Sequence, residues 1–373
     1  MKITARPPEV DEAALEDLRE RLRRSRRVAA PPGQGWQRGV DPDFLAGLLQ
    51  SWQGYDWRAN ERRVLDLPWR LAPGAVPVRA VHQPAARHAT RHDGSAGLPV
   101  VLLHGWPDSV LRFEKVLPLL AEAGIEAVVP ALPGFPFAAP VASGGLSSSA
   151  MADALADALA EWGLARYVLS AGDVGCDVAE ALAAAYPDRV AALHLSDVSQ
   201  YRFLVDPPTN LSAQEEDYVA RGHRWQVAEG GYMHEQSTKP ATLAAALGDS
   251  PAGLAAWLLE KLRAWTDCGG DVESVFTREE LLTWISAYWF TQAIGTSFTP
   301  YAEGGARPST RIDAPTAFTI FPADLVNAPR SFAERFFDVR SWVEQEHGGH
   351  FAAWERPSDY VAGVRTALSL VQG

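Results

Sequence analysis

Cysteine is nearly absent from this sequence: 373 residues carry only Cys176 and Cys268. One pair cannot build a disulfide framework, and neither cysteine sits at a spacing that suits zinc. The expectation is a chain without a metal centre, suited to a reducing cytoplasm. Positive charge is scarce as well, with 34 Lys and Arg against 46 Asp and Glu and a net charge of -12. No basic face offsets that excess, which argues against nucleic acid or an anionic membrane as the main partner. The one basic run, Arg19 to Arg27, falls on a helical pattern and reads as a solvated face. Long hydrophobic runs are missing: nothing approaches about 18 consecutive apolar residues. The start, Met1 to Pro8, lacks a charged-then-apolar signal segment, so neither an anchor nor export is expected.

What the chain does have is apolar mass, 47% of its residues including 13 tryptophans, enough for a substantial core in one large domain or two modest ones. Leu15, Leu18 and Leu22 recur at helical spacing behind an acidic first turn, and Asp43 to Gln53 has the same character. Trp36, Trp52, Trp57 and Trp69 punctuate an otherwise polar meander, so residues 1–75 read as an extension wrapped on a core. From Val76 the texture changes to short β-rich runs: Val76 to Val81, Leu98 to Leu103, Ala127 to Val129, Tyr167 to Leu169 and Val190 to Leu195. Helical patterns separate them at Leu111 to Ala123, Ser147 to Gly163 and Gly175 to Tyr186. Alternation of this kind implies a parallel sheet covered on both faces. Pro84 to Gly97 reads as an exposed loop. After Ser196 the alternation stops, consecutive helices run from Pro207 to about Pro300, and strands resume at Thr316 to Phe321 and Val339 to Val343 before a last helix from Pro357. The expected division is extension 1–75, first core part 76–199, helical segment 200–310 and second core part 311–373.

Three features carry chemistry. Ala171-Gly-Asp-Val-Gly175 has the small-x-nucleophile-x-small spacing of a nucleophile elbow, with Asp173 where a serine usually stands. Asp324 follows one late strand and His350 the next, giving the order nucleophile, acid, histidine of an α/β-hydrolase. His104-Gly105-Trp106-Pro107 follows an early strand, where backbone N–H groups of Trp106 and of Val174 are candidates for an oxyanion hole. Alternatives stand beside them. His347 follows the same strand as His350, Asp197 ends the strand before the helical segment as a rival acid, and His104 suits a supporting role with Gly105 and Pro107.

These residues resemble the epoxide hydrolases of the α/β-hydrolase superfamily, specifically the microsomal and juvenile-hormone type with an N-terminal extension. The likeness runs through Gly35-Trp36, Gly54 to Arg58, His104 to Pro107, Leu132-Pro-Gly134, Gly231-Tyr-Met-His234, Ser237 to Pro240, Tyr288-Trp289, Ile294-Gly295, Tyr301, Phe321 to Asp324 and Gly348 to Ala353. It implies that the helical segment is a cap, that Tyr232 and Tyr301 bind the epoxide oxygen, and that His350 rather than His347 is the catalytic histidine. It also implies a small-molecule epoxide and water as partners, with no cofactor. A carboxylate suits that chemistry, because it can attack a strained carbon and leave an ester whose carbonyl water can then attack. The chain departs from the pattern at Val174, where tryptophan is common, at Ala171 and at Pro136. Val174 also removes an indole donor expected of the related haloalkane dehalogenases, and retention of Asp173, His350 and Asp324 argues against a non-catalytic binding protein. Relatives of this type in enediyne and other natural-product pathways suggest a bulky aryl or vinyl epoxide.

Overall fold

The computed structural model describes residues 3–29, 31–86, 97–205, 207–304 and 310–371. Eight strands form one sheet: β1 (Trp69–Ala72), β2 (Val78–Gln83), β3 (Val100–Leu103), β4 (Ala127–Ala131), β5 (Tyr167–Ala171), β6 (Val190–Leu195), β7 (Ile312–Ile320) and β8 (Phe337–Glu344). Their order is β1-β2-β4-β3-β5-β6-β7-β8. β2 runs antiparallel to β1 and β4, and all other neighbours are parallel. The central strands β3 to β6 are buried along their whole length, as uninterrupted apolar runs covered on both faces must be. This is an α/β-hydrolase fold.

Register sets where the chemistry can lie. Leu103 pairs with Ala171, Ala171 with Leu195, and Leu195 with Phe318. The carboxyl ends of β3, β5 and β6 therefore finish level, with β7 reaching two residues further, and the loops leaving them converge on one edge, where open α/β sheets bind ligands.

Three helices precede the sheet, at Glu12–Arg24, Pro42–Gln53 and Trp57–Leu65. Each starts on an aspartate, Asp11, Asp41 or Asp56, whose side chain accepts from a first-turn N–H. The last of these helices, and β1 after it, went unsignalled in what reads as a polar meander. Helices from Ala213–Glu229 to Thr299–Glu303 fill the interval between β6 and β7. The N-terminal helices are tied to that interval through Arg278–Thr291. Trp52 Nε1 donates to Ser286 Oγ at 2.8 Å, Tyr55 Oη lies 2.6 Å from Thr283 Oγ1, and Asn60 Nδ2 donates to Glu279 Oε1 at 2.9 Å. The helix expected over 111–123 is broken into a 3-10 turn at Val110–Phe113 and a helix at Val116–Glu122. Most of the loop expected at Pro84 to Gly97 lies outside the described residues. Among the described residues no helix is long and apolar enough to cross a membrane. Cys176 and Cys268 are both free and buried.

Candidate active site

β5 hands over to the helix Val174–Ala185 through Gly172 and Asp173, and Asp173 adopts φ 56°, ψ -133°. A non-glycine residue at positive φ is strained by roughly 1 to 3 kcal/mol, a cost tolerated where the surroundings enforce it. The enforcement is visible around the turn. A Cβ on Gly175 would stand 2.5 Å from the Leu103 carbonyl oxygen, and one on Gly172 would stand 2.7 Å from Ser196 Oγ. A Cβ on Gly105 would fall 2.3 Å from Asp173 Oδ1. Small residues at these positions let the backbone approach closely enough to lift one carboxylate above the sheet edge.

That carboxylate is gripped by backbone and faced by a histidine. Trp106 N–H donates to Asp173 Oδ1 at 2.7 Å, and the Val174 N–H also bonds the carboxylate. His350 Nε2 stands 3.6 Å from Asp173 Oδ2, while its Nδ1 lies 2.8 Å from Asp324 Oδ1. Among the described residues Nε2 makes no hydrogen bond. Burial alone would lower the His350 pKa, but Asp324 and then Asp173 override it and hold it at about 9. Burial raises the Asp173 carboxyl above its ordinary value, against the pull of His350, the two N–H groups and Arg112. Burial opposes ionisation of Asp324 too, yet His350, its hydrogen bond and the Leu325 N–H keep that pKa below the ordinary value.

The rivals fall elsewhere. His347 is exposed, with Nδ1 3.7 Å from Asp267. Asp197 lies behind the elbow, where Oδ1 accepts from the Asp173 N–H at 3.3 Å and the Cys176 thiol at 2.6 Å. Burial, then repulsion by Asp324, pushes the Asp197 carboxyl up to about 7. His104 is wholly buried, its Nε2 accepting from the Leu132 N–H at 3.1 Å. Burial drives its pKa down to about 3, so it remains a neutral brace between two loops. Gly105 and Pro107 flank Trp106 in the first of those loops.

Two phenols overhang this floor from the helical interval. Tyr232 belongs to Gly231–Thr238 and Tyr301 to Thr299–Glu303, and both are buried. The Tyr232 ring stacks on Trp106 at 5.3 Å and 8°, and the Tyr301 ring meets Trp106 edge-on at 6.2 Å. Burial, then the negative charge of Asp173, pushes both hydroxyls well above the ordinary phenol value. They are therefore protonated donors at neutral pH.

Sequence reasoning missed the residues that seat the histidine. Arg112 Nη2 donates to the His350 carbonyl at 2.5 Å while Nη1 pairs with buried Asp108 at 2.7 Å. Glu355 accepts three backbone N–H groups at 2.9 Å each, from Gly349 and Phe351 on either side of His350 and from Asp267. The His350 N–H donates to the Trp265 carbonyl at 2.8 Å, and Asp267 accepts from Gly348 N–H at 2.8 Å. In the sequence, Arg112 and Glu355 look like ordinary helical charges, and no local spacing marks them.

Comparison with known proteins identifies the family. Residues 3–113 match the family described as "Epoxide hydrolase N terminus", and residues 99–227 match "alpha/beta hydrolase fold". A Stigmatella aurantiaca protein classed as an epoxide hydrolase is 34% identical over 370 residues, spanning 95% of this chain and 82% of the relative. The chain belongs to the epoxide hydrolase family. Epoxide hydrolase 1 of Sus scrofa is 27% identical, over 98% of this chain and 88% of that protein. The Aspergillus niger epoxide hydrolase structure superposes with a TM-score of 0.81 at 27% identity, covering 98% of this chain and 97% of that one. The juvenile hormone epoxide hydrolase of Bombyx mori shares the fold, with a TM-score of 0.86 at 24% identity over 100% of this chain and 95% of the other.

Proposed function

We propose that this epoxide hydrolase works through a covalent ester on Asp173. The observation that carries the reading is one carboxylate bonded by the Trp106 N–H, faced at 3.6 Å by His350 Nε2 and overhung by two protonated phenols. Asp173 attacks a ring carbon, the carbon–oxygen bond breaks in line, and the departing oxygen takes a proton from Tyr232 or Tyr301. His350 Nε2 then removes a proton from water, whose oxygen attacks the aspartyl carbonyl carbon. The negative oxygen so formed is stabilised by the N–H groups of Trp106 and Val174. Collapse expels the second diol oxygen, which takes the proton held on His350. The regenerated carboxyl gives up the remaining water proton, which restores the phenol. Asp324 keeps the imidazole oriented and supports its cation. In this reading the helices between β6 and β7 act as a cap that excludes water from the ring-opening step.

The substrate is read as a bulky aryl or vinyl epoxide. Trp106, Trp265, Phe298 and the two tyrosine rings pack around one another above the carboxylate, and the residue next to the nucleophile is Val174, smaller than the tryptophan common there. A place in bacterial natural-product assembly rests on the resemblance alone. A halide-releasing reaction is disfavoured because Val174 offers no indole N–H and the overhanging donors are phenols.

Trapping the ester tests the mechanism, with racemic styrene oxide as the probe. His350→Gln should gain the epoxide's mass on the peptide containing Asp173, since general-base loss slows hydrolysis by about 100- to 10,000-fold. Asp173→Asn should gain nothing. In a single turnover of the wild type in heavy-oxygen water, the first diol should be unlabelled. Label in that diol would show direct attack by water, with Asp173 reduced to a general base.

A further inference from the structure

The two phenols over Asp173 are not equivalent. Lys261, on the helix Pro251–Ala264, is buried, and its Nζ lies 5.0 Å from the Tyr232 ring centroid and 5.6 Å from that of Trp265. Among the described residues no cation is so placed over Tyr301. The ammonium pairs with Glu260 Oε2 at 2.5 Å, and that carboxylate is partly exposed while the lysine is not. A pair that served only to neutralise charge would leave both groups in water, where desolvation is avoided. Here the lysine is drawn inward against two aromatic faces.

A cation over a neutral aromatic ring is held by the ring's quadrupole. When the phenol yields its proton, the ring and its oxygen acquire a full negative charge, and the attraction grows. The contact is thus stronger as proton transfer proceeds than before it, the condition for lowering a barrier rather than merely tightening a ground state. The Tyr301 side chain also hydrogen-bonds Tyr232 in the sense that favours its ionised form. Burial most strongly opposes ionisation of Tyr232, followed by the charges of Asp173, Tyr201 and Asp324.

We propose that Lys261 is a positioning residue that makes Tyr232, rather than Tyr301, the principal proton donor to the departing epoxide oxygen. The inference rests on the ring-opening reading above, and its test separates the two. Single-turnover rates of Asp173 alkylation by styrene oxide are measured for the wild type, Tyr232→Phe, Tyr301→Phe, Lys261→Met and the Lys261→Met double variants with each tyrosine change. Glu260→Gln accompanies Lys261→Met so that no carboxylate is left unpaired, and thermal melts confirm folding.

Loss of the cation should slow alkylation roughly 5- to 30-fold while leaving ester hydrolysis within about twofold, and Lys261→Arg should restore most of the rate. Tyr232→Phe should cost more than Tyr301→Phe, and that difference should vanish once Lys261 is replaced. If Lys261→Met slows alkylation by the same factor with Tyr232 or Phe at position 232, the coupling is absent and the proposal is overturned. If both Tyr→Phe variants keep the wild-type alkylation rate, the ring-opening reading falls and the Lys261 proposal falls with it.

Discussion

On the proposed mechanism the imidazole of His350 is charged before ester formation and must be neutral when water is activated, and loss of the Asp173 charge would supply the switch. Its pKa of about 9 is upheld by Asp324 at Nδ1 and by Asp173 at 3.6 Å from Nε2. Ester formation erases the Asp173 charge. At an effective dielectric of about 20, a unit charge at that separation is worth about 4 to 5 kcal/mol, or about 3 pH units. Losing it should lower the His350 pKa back toward its ordinary value, where the imidazole is a competent base at neutral pH. Asp173→Asn imitates the uncharged state without substrate. Histidine-labelled protein, with the His350 resonance assigned by its disappearance in His350→Gln, should titrate near pH 9 in the wild type and about 2 to 3 units lower in Asp173→Asn. The same shift appears in stability. A folded pKa of about 9 against an ordinary 6.5 means stabilisation fully present below pH 6.5 and lost as pH rises through 9. That amounts to about 3 kcal/mol. In Asp173→Asn that alkaline loss should largely disappear. An unchanged titration near pH 9 in Asp173→Asn would refute the reasoning, because Asp324 alone would then set the charge and alkylation could not release the base.

Two further outcomes follow from close contacts. Gly105→Ala places a methyl 2.3 Å from Asp173 Oδ1, and displacing the nucleophile by about 1 Å should cut the alkylation burst about 100-fold, as stopped-flow measurement would show. Glu355→Ala strips the N–H groups on both sides of His350 of their acceptor; the ester should persist roughly 10-fold longer by intact-mass kinetics, while alkylation keeps its rate.

Much of the sheet was legible in the sequence because β3 to β6, buried on both faces, are written as continuous apolar runs. β1 was not: its four residues, three of them half-buried, acquire strand character only through pairing with β2, Trp69 opposite Val81, a partner that no local pattern announces. Likewise, the helix expected over 111–123 is interrupted because Ser109 caps Leu111 N–H in a 3-10 turn first. In the site, the positions of Asp173, Trp106 and Gly175 could be read because close backbone approach demands small residues at fixed spacing. Arg112, Glu355 and Lys261 look like solvated helical charges. They are drawn inward by acceptors, amides and rings contributed by other elements, as when Arg112 reaches the carbonyl of His350.

The seat of His350 also limits how such an enzyme can be diversified. Trp265 and Asp267 belong to the helical interval, yet they hold the backbone of the loop that carries His350. A recombinant that imports another relative's interval for a new substrate range inherits a new seat for its base as well. Shuffled libraries therefore need residues 265–267 carried over with Glu355 as one block.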